Sequence, residues 1–591
     1  MTSPFPTTDH HVIGLFALGW IAWGLILFAL ALLGLFFPIL IGGSVLLIAI
    51  GLFLLARRIA WRITPGRELL FTTIVILGIV TILGSFSEPT IFSGRDQGSI
   101  SEAAIRLAQN HRVTFSTPTS ELFFSAYGQG KALNFPGFYY ASDGALTPQF
   151  PLPYIAWLGG FYALFGMIGI TVANAVLLFL FLLSAYAFCR RFTSPRFSFL
   201  FLVLLLTSFA IPWFFKFTLS ETMAMALLWS ALFFIVTLQS LPVKNTPDET
   251  ENNFFFTATV ATLLLLFFTR IEGVIFVVLA AAVFLAHAPL RTFLRRNSFW
   301  RILFPLAIAA IVFLLSVKTN IPFYKTMAKA LLHAAPGEGD ATPIAFFAHM
   351  RILTLYGITP LLLAGLGGIG YCIATKRFFF LLPLVITLPT FLYLINPQIS
   401  PDHPWMLRRY VVSVIPVAAF FATIALSALF RCGMKEKIAG ALLILLLVGI
   451  NLRATAPLIT FAEHRTLPIQ IERLLARFSS DDLILVDRAA TGDGWAMLTG
   501  PGQFLYNRNT VYFFNPSDLA KIDRARFEKT YLLVPDSAET SYMQSAIGPL
   551  LRFRETYALT TSRLEYLSTE DSLRLPHTVT ITTTGKIFEI E

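Results

Sequence analysis

The chain is written as long apolar runs separated by short basic loops. Runs such as LILFALALLGLF, LFLVLLLTSFAI and ALLILLLVGI sit inside segments close to the ~20 residues that a helix needs to cross a bilayer. Length and apolarity together predict about thirteen spanning helices. They lie near residues 13–36, 38–56, 69–88, 168–189, 198–215, 221–240, 254–269, 271–287, 302–318, 352–374, 378–395, 410–430 and 438–456. The loops RRIAWRITPGR, CRRFTSPR, RTFLRRNSFWR, Lys376-Arg377 and RCGMKEK all fall on one side if the N-terminus is cytoplasmic, which is where the positive-inside rule puts basic residues. The expected outer parts are then 89–167, the loops around 319–350 and 396–409, and everything from about Pro457.

The first outer segment carries a helix signal of its own. Ser99-Ile100-Ser101-Glu102 has the form of a capping box, and Ile100, Ala104, Leu107 and Ala108 follow on one helical face. This predicts a short helix lying on the membrane from Ser99, with Asp96 projecting from the turn before it. The stretch PLPYIAWLGGFYALFG, 151–166, is aromatic enough for an interfacial helix. After residue 457 charge rises, and strand-like runs (DLILVD, TVYFF, TYLLVP, TVTITTTG) alternate with helical ones (IERLLARF, PSDLAKIDRARFE), as in a small soluble α/β domain. The glycine pair of GDG, 492–494, has no basic residue or helix after it in a phosphate-loop pattern.

Composition agrees with the pattern. Of 591 residues 56% are hydrophobic and 13% charged, against about 25% charged in a soluble domain, so the class is an α-helical polytopic membrane protein. The net charge of +11 comes from basic residues in short loops, an orientation signal rather than a nucleic-acid surface. The apolar region from Val12 is too long for a cleavable signal. Cys189, Cys372 and Cys432 fall at helix ends on the predicted cytoplasmic side, so no extracytoplasmic disulfide is expected. No Asn-X-Ser/Thr acceptor occurs, in keeping with a prokaryotic inner membrane.

Ionisable groups where spans leave the bilayer are candidates for function. Arg95 and Asp96 stand just after the third span, and Asp96 is either a turn former or a carboxylate that takes a proton from an attacking hydroxyl. Glu102 is a second acid, also explained by capping. In FFTRIEG, Arg270 and Glu272 interrupt an apolar region and are either a surface pair or a phosphate-binding guanidinium with its neighbour. Glu221 opens a span from the same side, where Thr218 or Ser220 could cap it. In SPDHPWMLRRYVV, Arg408 and Arg409 stand before Tyr410 against the positive-inside bias; either snorkelling to lipid phosphate or a bound anionic headgroup accounts for them. His403 lacks a second His or Cys at ligand spacing. Lys325, Lys329, His333, Glu338 and Asp340 mark a polar outer loop that could act as a lid.

In order, the acid after the third span, PQFPLPYIAWLGGFYALFG with ANAVLLFLFLLSAYAFCRRF, FKFTLSETMAMALLW, FFTRIEG and RRYVVSVIP resemble the GT-C integral membrane glycosyltransferases, in particular the protein-mannosyltransferase-like and aminoarabinose-transferase-like branch. The resemblance covers roughly 69–456, with 1–68 as two extra spans and 457–591 as a separate extracytoplasmic domain. It departs from the family in one place: Asp96 is followed by Gln97, not a second acid. It implies transfer of a sugar from a polyprenyl-phosphate carrier to an acceptor hydroxyl on a glycan, lipid or protein, with inversion. Asp96 would be the general base, and Arg270, Arg408, Arg409 and Tyr410 would lie near the carrier phosphate. A divalent metal is possible but not demanded. The rivals are a transporter or flippase, which would favour midplane charges and an inverted repeat, an oligosaccharide ligase using a diphosphate carrier, and a receptor or scaffold built on the C-terminal domain.

Overall fold

The computed structural model describes residues 7–58, 65–88, 90–93, 95–240, 250–296, 299–332, 346–396, 402–492, 498–568 and 573–591. Each of the predicted apolar segments contains helix, but not each is a full span. Among the described residues, eight helices are long and apolar enough to cross a membrane, or ten if each of two bent pairs counts as one span. The shortfall from thirteen has local causes. The predicted span at 198–215 breaks into Pro195–Thr207 and Ala210–Phe215. The segment 378–395 is a succession of short turns through Pro383 and Pro389, each of which removes a backbone donor. Helix Ile271–Ala286 turns by 93° into Ala288–Arg296, and Phe346–Leu355 meets Ile358–Ala374 at 95° through Gly357, whose φ of +75° suits glycine. The last of the five, Val414–Leu429, is a shorter apolar helix. Broken helices inside a bundle are tolerated where neighbours cover the exposed backbone. The chain is a multi-pass membrane protein.

Helix Ser220–Ser240 is the buried axis, packed against Thr250–Thr269 and Met167–Arg190. Helix Ile358–Ala374 lies on Val414–Leu429 so closely that a Cβ at Gly368 would sit 1.9 Å from the Phe421 carbonyl oxygen. Small residues allow this backbone approach where lipid gives no hydrophobic drive between helices. One end of the bundle is closed by Glu68 with Arg190 at 2.8 Å and by His10 with Arg191 at 2.7 Å. The other end carries the segment after the third span and the C-terminal domain.

That segment differs from the expectation of a surface helix. The helix runs Asp96–Asn110 and begins at Asp96 itself, with most of its residues from Gln97 to Ala108 buried. It packs on helix Leu152–Phe165, which is buried in the bundle from Leu152 to Phe161 rather than lying at an interface. The capping box does not form: Ser99 Oγ donates to the Pro136 carbonyl at 2.9 Å, and Glu102 turns toward Arg106. Tertiary partners outbid the local cap. Three short antiparallel strands, β1 (Gly130–Lys131), β2 (Phe138–Tyr140) and β3 (Leu146–Pro148), complete the segment.

The C-terminal domain is a five-stranded mixed sheet in the order β5-β4-β6-β8-β7. Strands β4 (Leu483–Val486), β5 (Asn509–Tyr512) and β6 (Thr530–Pro535) are parallel, and β8 (Thr578–Ile590) runs antiparallel to both β6 and β7 (Leu551–Leu564). IERLLARF is helical through Leu475, the end of helix Leu467–Leu475, and its last three residues turn away. PSDLAKIDRARFE forms two short 3-10 turns instead of a helix, because its polar and apolar positions give no continuous buried face. Residues 493–497 of the GDG region, and His333, Glu338 and Asp340 of the proposed lid, lie outside the described residues.

Candidate functional site

Four chain segments meet where the bundle joins the C-terminal domain. The first is the start of helix Asp96–Asn110. Its Gln97 carbonyl accepts Thr218 Oγ1 at 2.9 Å and Ser101 Oγ at 2.8 Å, which ties the helix to the loop leading into Ser220–Ser240. Thr218 is therefore spent on this tie rather than on a cap. Arg95 donates to Asp402 at 2.7 Å, and its guanidinium lies 4.7 Å from the Trp405 ring centre and 4.1 Å from that of Tyr566. The remaining segments are the start of helix Ser220–Ser240, the Arg270 junction before Ile271–Ala286, and the 3-10 helix Trp405–Tyr410.

Their charged side chains form one alternating chain. Asp96 Oδ2 lies 2.7 Å from Arg408 Nη1, and Arg408 Nε is 3.9 Å from Glu221 Oε1. The same Glu221 oxygen is 2.8 Å from Arg270 Nη1, which also donates to Ser220 Oγ at 3.1 Å. Arg270 makes a fork to Glu272 at 3.1 and 3.0 Å. Glu272 Oε1 is 3.6 Å from Arg409 Nη1 and accepts Tyr393 Oη at 2.8 Å. Three guanidiniums thus alternate with three carboxylates. Arg270 does pair with Glu272, but the pair is buried and shared with Glu221 rather than lying on the surface.

Burial depth differs along the chain, and this matters chemically. Glu221, Arg270 and Glu272 are nearly covered, whereas the Asp96 side chain keeps 44% of its exposure. Desolvation of ions in such a place is tolerable only because each has partners of opposite sign. Burial, then the nearby Arg270 and Arg408, hold the Arg409 guanidinium below its usual range. A narrow crevice is lined by Arg270, Arg408, Arg409, Glu221, Glu272 and Tyr393.

The other candidates take structural places. Tyr410 Oη bonds His349 Nε2 at 2.7 Å and the Tyr393 carbonyl at 3.0 Å, so it braces the site from behind. His403 is buried, bonded to Tyr356 Oη at 2.9 Å, and its backbone pairs with Leu567 of the C-terminal domain. Glu102, largely covered, stands 3.6 Å from Arg106 Nη2, and the same nitrogen donates to Gln503 at 2.6 Å. Burial raises the Glu102 carboxyl above its usual range, with Arg106 opposing. Glu102 also lines a second crevice with Ser93, Ser99, Thr499 and Gln503. Tyr393, Arg106 and Gln503 escaped the sequence reading, since none belongs to a charged cluster.

No family model matches the chain, and no curated protein matches it significantly. Solved structures do. The apo crystal structure of the Archaeoglobus fulgidus oligosaccharyltransferase matches with a TM-score of 0.50 at 12% identity, over 80% of this chain and 70% of that one. ArnT from Cupriavidus metallidurans bound to undecaprenyl phosphate matches with a TM-score of 0.49 at 12% identity, over 88% of this chain and 97% of that one. At such identity the likeness concerns the path of the backbone. The chain shares its fold with that oligosaccharyltransferase structure.

Proposed function

We propose that the protein is a membrane glycosyltransferase that moves a sugar from a polyprenyl-phosphate carrier to an acceptor hydroxyl on a glycan, lipid or protein, at the outer face of the inner membrane. In this reading the N-terminus is cytoplasmic and the C-terminal domain extracytoplasmic, with the shorter and broken apolar helices completing an odd number of crossings and the basic loops on the cytoplasmic side. The observation that carries it is the alternating chain from Asp96 to Arg409, gathered from four segments at one end of the bundle. The fold shared with an oligosaccharyltransferase agrees with it.

The acceptor hydroxyl attacks the anomeric carbon, the new carbon–oxygen bond forms as the bond to the carrier phosphate breaks, and the configuration inverts. Asp96 takes the hydroxyl proton; Arg408 holds Oδ2, and the half-exposed carboxylate faces the entering acceptor. The departing phosphate gains negative charge, which cations placed beforehand stabilise. Its oxygens enter at the two longest links, Arg408 with Glu221 at 3.9 Å and Arg409 with Glu272 at 3.6 Å, where least is lost by exchange. Arg270, held by two glutamates, fixes the geometry behind them. Glu102 and Arg106 hold the helix of Asp96 against the C-terminal domain. No metal is demanded, because the guanidiniums already supply the positive charge.

The reading is tested by binding. Full-length protein in lipid nanodiscs is titrated with labelled polyprenyl phosphate, and Arg409→Ala should weaken binding about tenfold or more, as loss of a charge-assisted contact does. Equal affinity for an uncharged polyprenol would contradict a phosphate site.

A further inference from the structure

Beyond the arginine chain, a second buried polar cluster joins the segment after the third span to the start of the C-terminal domain. Glu88, Glu463 and His464 are all buried, and each brings one potential ligand atom to within 4.8 Å of the other two. Ligands of a tetrahedral zinc stand about 3.4 Å apart given bonds near 2.0–2.1 Å, so a modest contraction closes the set. Nitrogen with carboxylate oxygen suits a borderline divalent cation such as zinc.

The histidine is oriented for ligation. His464 Nδ1 is 2.5 Å from Thr561 Oγ1, which turns Nε2 toward Glu88, 3.9 Å from its Oε1. An imidazole whose other nitrogen is engaged in this way is the usual arrangement of a metal-bound histidine. Glu463 Oε1 accepts the Leu564 backbone N–H at 2.6 Å, and the His464 N–H donates to the Ser562 carbonyl at 2.9 Å, so both residues are clamped on β7.

Lys216 lies close enough to feel both glutamates. Yet an ammonium has three N–H donors, and Lys216 Nζ contacts three backbone carbonyls: Leu458 at 2.6 Å, Ile459 at 2.9 Å and Phe461 at 2.5 Å. It lends its field to the carboxylates but spends its protons elsewhere. The two carboxylates and the imidazole thus share one buried pocket, where ions are held by groups of opposite charge. We propose that Glu88, Glu463 and His464 bind one zinc-class divalent cation, which fastens the C-terminal domain to the segment leading into Asp96. The rival is a protonated His464 balancing the charge with no metal.

The full-length protein, purified without a metal-chelating resin, is dialysed and its metal content measured by mass spectrometry. The expected result is about one ion per chain, lost together with several degrees of melting temperature after treatment with a strong chelator, and restored by zinc or manganese. His464→Gln and Glu463→Gln should each lower the content about tenfold, in line with loss of one ligand. Should either variant fail to fold, the chelator and add-back arms on the unaltered protein still decide. Absence of bound metal with no shift on adding zinc, or a content unchanged in both variants, would overturn the site.

Discussion

Arg408 Nη1 lies 2.7 Å from Asp96 Oδ2, although 312 residues separate the two in sequence. This contact fixes the orientation of the proposed base and joins it to the arginines proposed to hold the carrier phosphate. Lysine offers one point charge and no fork, so Arg408→Lys should not replace arginine here. Transfer by that variant should fall at least tenfold while the melting temperature stays near that of the unaltered protein, as checked by steady-state assay and thermal unfolding.

Arg270 stands between Glu221 and Glu272, and all three side chains are nearly covered. Arg270→Ala takes the nearest cation from two buried carboxylates, leaving Glu221 with Arg408 at 3.9 Å and Glu272 with Arg409 at 3.6 Å, and should cost about 3–5 kcal/mol of stability. Adding Glu272→Ala should recover part of that loss, because residues in direct contact are not additive. Unfolding in mild detergent, with the single and double variants compared, measures the coupling.

Arg95 binds Asp402 and lies against the rings of Trp405 and Tyr566, the latter in the C-terminal domain. Tyr566→Ala removes one of the two ring contacts, a loss of about 1–2 kcal/mol for a partly desolvated cation. The domain should then detach more readily, seen as faster cleavage near residue 457 in limited proteolysis. An unchanged cleavage rate would mean that other contacts hold the domain.

Glu102 gives a pH prediction whose sign follows from burial. Its folded carboxyl stands above the usual range, so the folded chain keeps that proton to higher pH than the unfolded chain. The contribution to stability is complete below the unfolded value of about 4.3 and is lost as pH rises through the raised folded value. Glu102→Gln should therefore show a smaller fall in melting temperature between mildly acidic and neutral pH. A slope equal to that of the unaltered protein would contradict the burial argument.

Much of this architecture can be read along the chain, and the exceptions share a cause. The apolar segments and the charged residues at their ends stand out because lipid enforces composition locally. FFTRIEG exposes the Arg270–Glu272 pair, two residues apart, at a glance. What the sequence hides is convergence: nothing local links Glu221 to Arg270, or either to Arg408. Ser99 had a local reason to cap a helix and a stronger distant one to bond Pro136. Strand β7 was missed because LRFRETYALTTSRL is exposed on both faces over its first half, so no alternation marks it. Glu88, Glu463, His464 and Lys216 drew no attention because their company is made only by folding.

The central claim is that Asp96 accepts the acceptor's proton while the arginines hold the carrier. The most direct test is Asp96→Asn, which keeps shape and removes basicity, measured for single-turnover transfer of the lipid-linked sugar alongside polyprenyl phosphate binding. Transfer should fall by about 10²–10⁴-fold with carrier binding within about twofold of normal. Near-normal transfer by Asp96→Asn would contradict the assignment of the base.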